Sequence, residues 1–103
     1  MANLKTYPIN KVSVDAEAAL WVPGDSTKLA NVIELFLGSN VTGAVVMNDG
    51  VGGANKLTMP FLANTPQPPL KFIPGTLRLS KGNALSGLLA TATVSGYVTV
   101  LEE

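Results

Sequence analysis

The chain contains neither cysteine nor histidine, and these two absences exclude several kinds of functional site. Without cysteine there are no disulfide bonds, no thiolate metal ligands and no thiol nucleophile. Without histidine the chain lacks the side chain that most often acts as a general base and most often binds metal ions. Catalysis would have to rest on carboxylates, lysine or hydroxyl groups. We therefore expect a protein that is not an enzyme and that holds no cofactor and no metal ion.

Charged residues are scarce as well. They make up 14% of the 103 residues, where an average soluble domain has about 25%, and seven basic residues balance seven acidic ones. Such a chain attracts nucleic acid or anionic lipid only weakly, so we expect no nucleic-acid partner. One interpretation is a stable domain with a surface rich in serine, threonine and asparagine. We favour the other, that neighbouring subunits cover much of the surface, because interface cores are depleted in charge.

The longest uncharged segment, residues 82–101, has the length of a membrane-spanning helix. Gly87 and Gly96 weaken a helix there, and serine, threonine and asparagine interrupt the apolar residues. Alternating polar and apolar residues near its end indicate strands instead. The N-terminal residues also lack the charged and apolar regions of a signal peptide. We expect no membrane partner.

A chain of this length forms one domain, which we place at residues 1–103. Turn signals recur about every 8–12 residues and separate short extended segments, which is typical of an all-β antiparallel sandwich. Pro8 and Pro60 predict that their strands lie at sheet edges, and the first segment is also predicted to be a short extended N-terminal arm. The seven or eight predicted strands cover residues 4–14, 18–22, 27–37, 42–47, 56–62, 70–79, 84–90 and 93–101.

Residues 27–37 fit two templates. A helix would begin at Ser26 or Thr27, end at Gly38 and place five apolar residues on one stripe. A strand would divide the same segment between two faces, and the β-rich context favours the strand. Its predicted faces carry, on one side, Leu29, Ile33, Leu35 and Leu37 and, on the other, Ala30, Val32, Glu34 and Phe36.

The motifs that suggest chemistry have simpler explanations. The glycine-rich segment 50–53 lacks both phosphate-binding spacings and predicts a flexible loop between two strands. Asp15 and Glu17 would point to one side of a strand, but no further acidic residue accompanies them, which favours a solvated turn. Asp49 lacks the surrounding pattern of an EF-hand. The sequence therefore predicts no catalytic residue and no metal ligand.

The one tryptophan, two tyrosines and three phenylalanines are spread along the predicted strands, so we expect most of them in the core. Trp21 lies beside the Pro23-Gly24 turn, which suggests a position at the rim or at an interface. Pro66, Pro68 and Pro69 form a stiff connector with polyproline character. Trp21 and these three prolines are the candidate interface residues.

The order of features from Val22 onward resembles that of small structural proteins of phage virions. The resemblance rests on five features: the Pro23-Gly24 turn, the apolar segment 32–40, the glycine and aspartate loop 48–53, the spacing Leu-x-Leu-x-x-Gly-Asn-x-Leu at residues 77–85, and the β-branched end at 94–102. The segment Gln67-Pro68-Pro69 departs from the pattern, in which a shorter turn is expected. The resemblance implies a jelly-roll or related sandwich that decorates heads or joins tails, often as a trimer.

These observations predict a phage capsid decoration or cement protein, located in the virion. It would bind copies of itself, with a trimer favoured, and the major capsid protein or another virion protein. The alternative is a tail accessory module that binds host glycan. That function needs an exposed aromatic side chain and convergent polar groups in a groove, and Trp21 is its candidate aromatic residue.

Overall fold

The fold is taken from a computed structural model that describes residues 3–24, 26–65, 68–73 and 75–102. The described residues form strands and turns, and none of them forms a helix long and apolar enough to cross a membrane. The nine strands of this part of the chain are β1 (Asn3–Ser13), β2 (Ala18–Trp21), β3 (Ala30–Ser39), β4 (Gly43–Asp49), β5 (Asn55–Phe61), β6 (Leu70–Lys71), β7 (Arg78–Leu79), β8 (Leu85–Leu88) and β9 (Thr93–Glu102).

The strands form two antiparallel sheets that face each other. The first sheet has the order β1-β9-β3-β6, with the short β7 also on β3, and the second has the order β2-β8-β4-β5. Strands from the two halves of the chain pair as β1 with β9, β2 with β8, β3 with β6 and β4 with β5. This is one long hairpin, wrapped so that β9 also pairs with β3 and β8 with β4. Such a wrapped hairpin is a jelly roll, which confirms the predicted sandwich.

The described strands outnumber the seven or eight that were predicted because the segment 70–79 is broken in two. A turn separates β6 from β7, in which the backbone nitrogen of Thr76 donates to the carbonyl oxygen of Ile73 at 3.0 Å. Gly75 has a φ of +93° in this turn, a conformation that favours glycine. This turn therefore divides the one predicted strand, 70–79, into the two short strands β6 and β7.

Residues 30–39 form strand β3, and a β-bulge explains why the segment fits two periodic patterns. Val32 lies opposite Val100 and Glu34 opposite Thr99, so Ile33 is an extra residue without a partner position in the ladder. A bulge of this kind exchanges the two faces of a strand. The prediction that each set of alternate residues stays on one face along the whole strand is therefore wrong. Side chains on both predicted faces are buried: Ala30 and Val32 before the bulge, and Leu35 and Leu37 after it.

The two prolines mark sheet edges, as predicted. Pro8 lies in β1, the first strand of one sheet order, and Pro60 lies in β5, the last strand of the other. The predicted N-terminal arm is instead a full edge strand, because β1 pairs with β9 from Asn3 to Ser13. Proline is tolerated at such positions because an edge strand leaves part of its backbone outside the ladder.

The hydrophobic core lies between the two sheets. Burying each large aliphatic side chain contributes roughly 1.5–3 kcal/mol. Trp21 and Phe61 are buried among the aliphatic residues, and Tyr7 and Phe72 pack against the core. Phe36 and Tyr97 lie half-buried on the outer face of the first sheet and are the exceptions to the expectation that most aromatic residues lie in the core. The largest fully buried side chains are Ile9, Leu35, Leu37, Met47, Leu79, Leu85, Val14, Val32, Val45, Val94, Val98 and Val100.

At Gly96, the backbone of β9 leaves no room for a side chain beside β3. Its φ is +153°, and a Cβ atom built there would overlap the carbonyl oxygen of Phe36. Both features require glycine, since any side chain would push the two strands apart.

We therefore expect Gly96→Ala to lower the free energy of unfolding by roughly 2–4 kcal/mol, because a strained backbone conformation alone costs about 1–3 kcal/mol and the overlap adds to it. Gly24→Ala is the matched control, since a Cβ there meets no atom within 4 Å. It should change stability by no more than about 0.5 kcal/mol. Urea unfolding of both variants measures the difference, and equal effects would contradict this account of Gly96.

Candidate functional site

The carboxylate of Glu17 is the centre of a polar network that joins three parts of the chain. Its Oε2 atom accepts hydrogen bonds from Asn48 Nδ2 at 3.1 Å, from the backbone nitrogen of Gly52 at 2.8 Å and from Ser86 Oγ at 2.7 Å. These bonds, the one from Ser86 above all, hold the pKa of Glu17 below its ordinary value. Glu17 is therefore not the free, solvated carboxylate that the sequence predicts.

Asp49, at the end of β4, extends the network to residues 80–83. Its carboxylate accepts hydrogen bonds from the backbone nitrogen of Ser80 at 2.9 Å, from Ser80 Oγ at 2.6 Å and from Asn83 Nδ2 at 3.1 Å. Burial by itself would raise the pKa of Asp49, but these bonds and the nearby charge of Lys56 outweigh it and lower the pKa. Both carboxylates are thus held in the ionised form.

The glycine-rich segment is an ordered turn held by this network. The backbone nitrogen of Gly53 donates to the carbonyl oxygen of Gly50 at 3.0 Å, and the backbone nitrogen of Asp49 donates to the carbonyl oxygen of Ala54 at 2.9 Å. The described residues include no group of three or more acidic, histidine or cysteine side chains that would hold a metal ion. The donors occupy Oε2 of Glu17 and both carboxylate oxygens of Asp49, so the network acts as a structural clamp on the β4–β5 turn.

A second feature is an apolar cleft between the last strands of the two sheets. It encloses about 340 Å³ and is lined by Thr58, Met59, Pro60, Pro68 and Leu70. Met59 is 2% exposed, so the floor of the cleft belongs to the core, while the proline side chains and Leu70 form its exposed walls.

Exposed apolar side chains continue on both sides of this cleft along the chain. Leu62 is 60% exposed and Ile73 is 78% exposed. We call the set Pro60, Leu62, Pro68, Leu70 and Ile73 the β5–β6 flank. It is an exposed apolar patch, whose aliphatic side chains would gain free energy from leaving water.

The single ion pair found among the described residues lies next to this flank and contributes little. Lys71 Nζ lies 3.9 Å from Glu34 Oε1, and the lysine side chain is 80% exposed. Exposed pairs of this kind contribute about 0–1 kcal/mol. The pair therefore adds little to the stability of the fold.

The predicted interface residues have separate positions. Pro68 lines the apolar cleft and Pro69 is exposed beside it, while Pro66 lies outside the described residues. Trp21 is only 6% exposed, and its ring packs against that of Tyr7 with centroids 5.5 Å apart. The position predicted for Trp21, at an exposed rim, is therefore corrected to the core.

A register shift explains the burial of Trp21. The pairing of β2 with β8 is irregular between Ala19 and Trp21, and Leu20 is buried as well as Trp21. In a regular strand two successive side chains point to opposite faces. The irregularity allows both to enter the core, which the position of Trp21 beside a turn did not indicate.

A third feature is a more polar pocket on the outer face of the first sheet. It encloses about 500 Å³ at the ends of β3 and β9 and is lined by Lys11, Phe36, Gly38, Ser39, Asn40, Asn64, Thr65, Thr93, Ser95 and Gly96. The ring of Phe36 stacks on that of Tyr97 with centroids 5.4 Å apart and planes 22° apart. Tyr97 in turn donates a hydrogen bond to Glu34 Oε2 at 2.5 Å, which raises the pKa of Tyr97.

Sequence reasoning gave no indication of this pocket, because its lining residues come from four separate segments between Lys11 and Gly96. Comparison with known proteins adds no candidate function, since no family model, no curated protein and no solved structure matches the chain.

The polar network predicts a decrease in stability in acid. The lowered pKa values mean that the folded state favours both ionised carboxylates, so their contribution is complete above the ordinary values of 4.5 for Glu17 and 3.8 for Asp49. It is lost as the pH falls through the lower folded-state values. Thermal unfolding from neutral to acidic pH should show a decreasing Tm for the native chain and a shallower decrease for Glu17→Gln.

Asp15→Asn is the control for this measurement. Asp15 is exposed and makes no hydrogen bond or ion pair with the described residues, so its variant should keep the acid sensitivity of the native chain. If the Tm of Glu17→Gln declined in parallel with that of the native chain, the clamp would have no part in acid stability.

Proposed function

We propose that the protein is a structural, non-enzymatic component of a phage virion, a decoration or cement protein of the capsid. In this role it binds copies of itself, with a trimer favoured, and the major capsid protein or another virion protein. It is made in the cytoplasm of the host cell and ends in the particle. The jelly-roll order of the strands supports the proposal because many capsid proteins use that fold. A fold alone does not determine function, so the surface has to carry the rest.

The observation that carries the proposal is the apolar β5–β6 flank on a chain with few charges. A standard interface buries about 800 Å² on each partner, which would be about 15% of the 5321 Å² that the chain exposes. Covering apolar area contributes roughly 25 cal/mol for each Å² removed from water. Ile73 and Leu62, which are 78% and 60% exposed, have the most to gain from such cover.

The proposed stabilisation of the capsid depends on several contacts made by each subunit. A subunit that touches both its own copies and the lattice beneath gains from each further contact, because later contacts form at a high effective concentration. Binding only to the assembled lattice then stabilises the lattice by mass action. Weak individual contacts through an apolar surface are sufficient for a cement protein.

The second proposal is a tail accessory module that binds host glycan. Its sugar-stacking residue is no longer Trp21. Trp21 is too deeply buried to stack on a sugar. Phe36 is half-buried on the outer face of the first sheet and borders a polar pocket, so it takes the place that Trp21 had in this proposal.

The virion proposal is tested on purified particles of the virus that encodes the chain. We expect the protein to sediment with the particles and to stay on them in about 1 M NaCl, where charges are screened beyond about 3 Å. Retention is expected because contacts made by apolar side chains do not depend on ionic strength. Absence from the particles, or release by moderate salt, would contradict the proposal.

A charge placed on the β5–β6 flank should weaken retention. In Ile73→Lys an ammonium group replaces a side chain that is 78% exposed, and on binding it would have to leave water without a partner. The matched control is Val51→Lys, because Val51 is 65% exposed in the β4–β5 turn, away from the flank. We expect the fraction bound to particles to fall roughly tenfold or more for the first variant and to stay unchanged for the second.

Both variants should unfold at the temperature of the native chain, since neither position is buried. Equal retention of the two variants would show that the β5–β6 flank is not the binding surface.

A further inference from the structure

We infer that the polar pocket on the outer face of the first sheet binds a neutral carbohydrate. The inference deepens the second proposal, that the chain binds glycan, and rests on the geometry of the pocket. It does not depend on the capsid role, so the two can fail separately. The cavity of about 500 Å³ lies within the range of roughly 300–1,000 Å³ that is usual for small-molecule sites.

The pocket exists because small residues face each other where β3 and β9 end. Gly38 lies directly opposite Ser95 in the ladder, and neither fills the space above the sheet. Two residues further along each strand, the next pair on this face is Phe36 opposite Tyr97, which carries two aromatic rings. The change from these large side chains to small ones produces a depression with an aromatic wall, Phe36.

The aromatic wall is held in place before any ligand binds. Phe36 stacks on Tyr97, and the hydroxyl group of Tyr97 is fixed by its hydrogen bond to Glu34. A pyranose ring has one apolar face of C–H groups, which packs well on an aromatic side chain. A ring that is already immobilised loses little entropy when a ligand binds to it.

Polar groups with unused hydrogen-bonding capacity surround the same cavity. Within the described part of the chain, the side chains of Lys11, Asn64 and Ser95 make no hydrogen bond and no ion pair. Asn40 Oδ1 accepts a hydrogen bond from the backbone nitrogen of Thr93 at 2.6 Å, which leaves its amide group as a donor. Sugar hydroxyl groups both donate and accept, and asparagine side chains offer the matching pair of functions.

Two of the polar residues are held by unusual backbone conformations. Lys11 has a φ of +22° at the irregularity in the pairing of β1 with β9, and Asn64 has a φ of +57° in the turn after β5. They are two of the three non-glycine residues with positive φ among those that the structure describes. Strained conformations of this kind concentrate where side chains have to be aimed at a ligand.

The low charge of the pocket favours a neutral ligand over an anion. Among the described residues that line the pocket, Lys11 is the one with an ionisable side chain. A site for phosphate or another polyanion normally offers an arginine, several cations or a nest of backbone nitrogens. One flexible ammonium group beside amide and hydroxyl groups fits a neutral sugar, to whose hydroxyl groups it donates.

The experiment is binding of the labelled full chain to an array of bacterial surface polysaccharides and neutral oligosaccharides. For the best-bound glycan, Phe36→Ala and Asn64→Ala should each weaken binding roughly tenfold or more, since they remove the stacking surface and a hydrogen-bonding group. Asn55→Ala is the matched control, because Asn55 is an exposed asparagine on β5 outside the pocket. Its affinity should equal that of the native chain.

A third variant keeps the inference testable if Phe36→Ala does not fold. Ser95→Gln fills the depression from a half-buried position on the outer face of β9 without removing any core side chain, and it should abolish binding while the Tm stays close to that of the native chain. Binding that persists in Ser95→Gln, or that Asn55→Ala also loses, would overturn the assignment of the pocket.

The assignment of the pocket would also be overturned if no glycan on the array bound and a titration followed by NMR gave the same negative result. In that titration the native chain receives glucose, galactose or N-acetylglucosamine at about 10 mM, ten times a millimolar dissociation constant. We expect changes in the amide resonances of residues 36–40 and 93–96 with at least one of the three sugars. No change with any of them, together with an empty array, would exclude a carbohydrate site.

Discussion

The antiparallel pairing of β9 with both β1 and β3 is the interaction on which the rest of the structure depends. β9 runs from Thr93 to Glu102 and pairs along almost its whole length with a strand on either side. Its inward side chains, Val94, Val98 and Val100, are fully buried, and its outward side carries Tyr97. The pairing joins the two ends of the described chain and wraps the hairpin into a jelly roll. The close approach at Gly96 is a consequence of that pairing.

The two flanks of the sandwich differ in how closely their strands approach each other. On one flank β1 and β2 approach each other, and Tyr7 and Trp21 pack together between them. On the other flank the last strands of the two sheets, β5 and β6, leave an apolar cleft. A sandwich with one open flank and few charged side chains is well suited to packing against another protein. The polar pocket lies on the outer face of the first sheet, and the turn after β5 connects it to that flank, because Thr65 of the pocket pairs with Leu62.

The features that follow from local chemistry could be predicted from the sequence. Proline cannot donate to a ladder, so Pro8 and Pro60 marked two edge strands, and the spacing of turn residues located most strand boundaries. The irregularities in pairing could not be predicted in this way. The bulge at Ile33 and the register shift before Trp21 depend on how neighbouring strands twist, and each of them changed which side chains are buried.

The polar network and the pocket escaped prediction for a related reason. The donors to Glu17 lie 31, 35 and 69 residues away in the chain, so no local spacing signals them. The pocket likewise combines Lys11, Phe36, Asn64 and Ser95, which only the strand order brings together. Asp15 and Glu17 illustrate the limit well, because two residues with the same chemistry differ entirely in their partners. The topology decides which of the two carboxylates is held.

We propose that another protein chain, first of all another copy, covers the β5–β6 flank. Sedimentation equilibrium of the purified protein over a series of concentrations, at low and at high salt, tests this proposal. We expect a mass that rises with concentration to a small multiple of the 10.7 kDa chain, with a trimer favoured, and that is the same at both salt concentrations. A mass of 10.7 kDa at every concentration would contradict it.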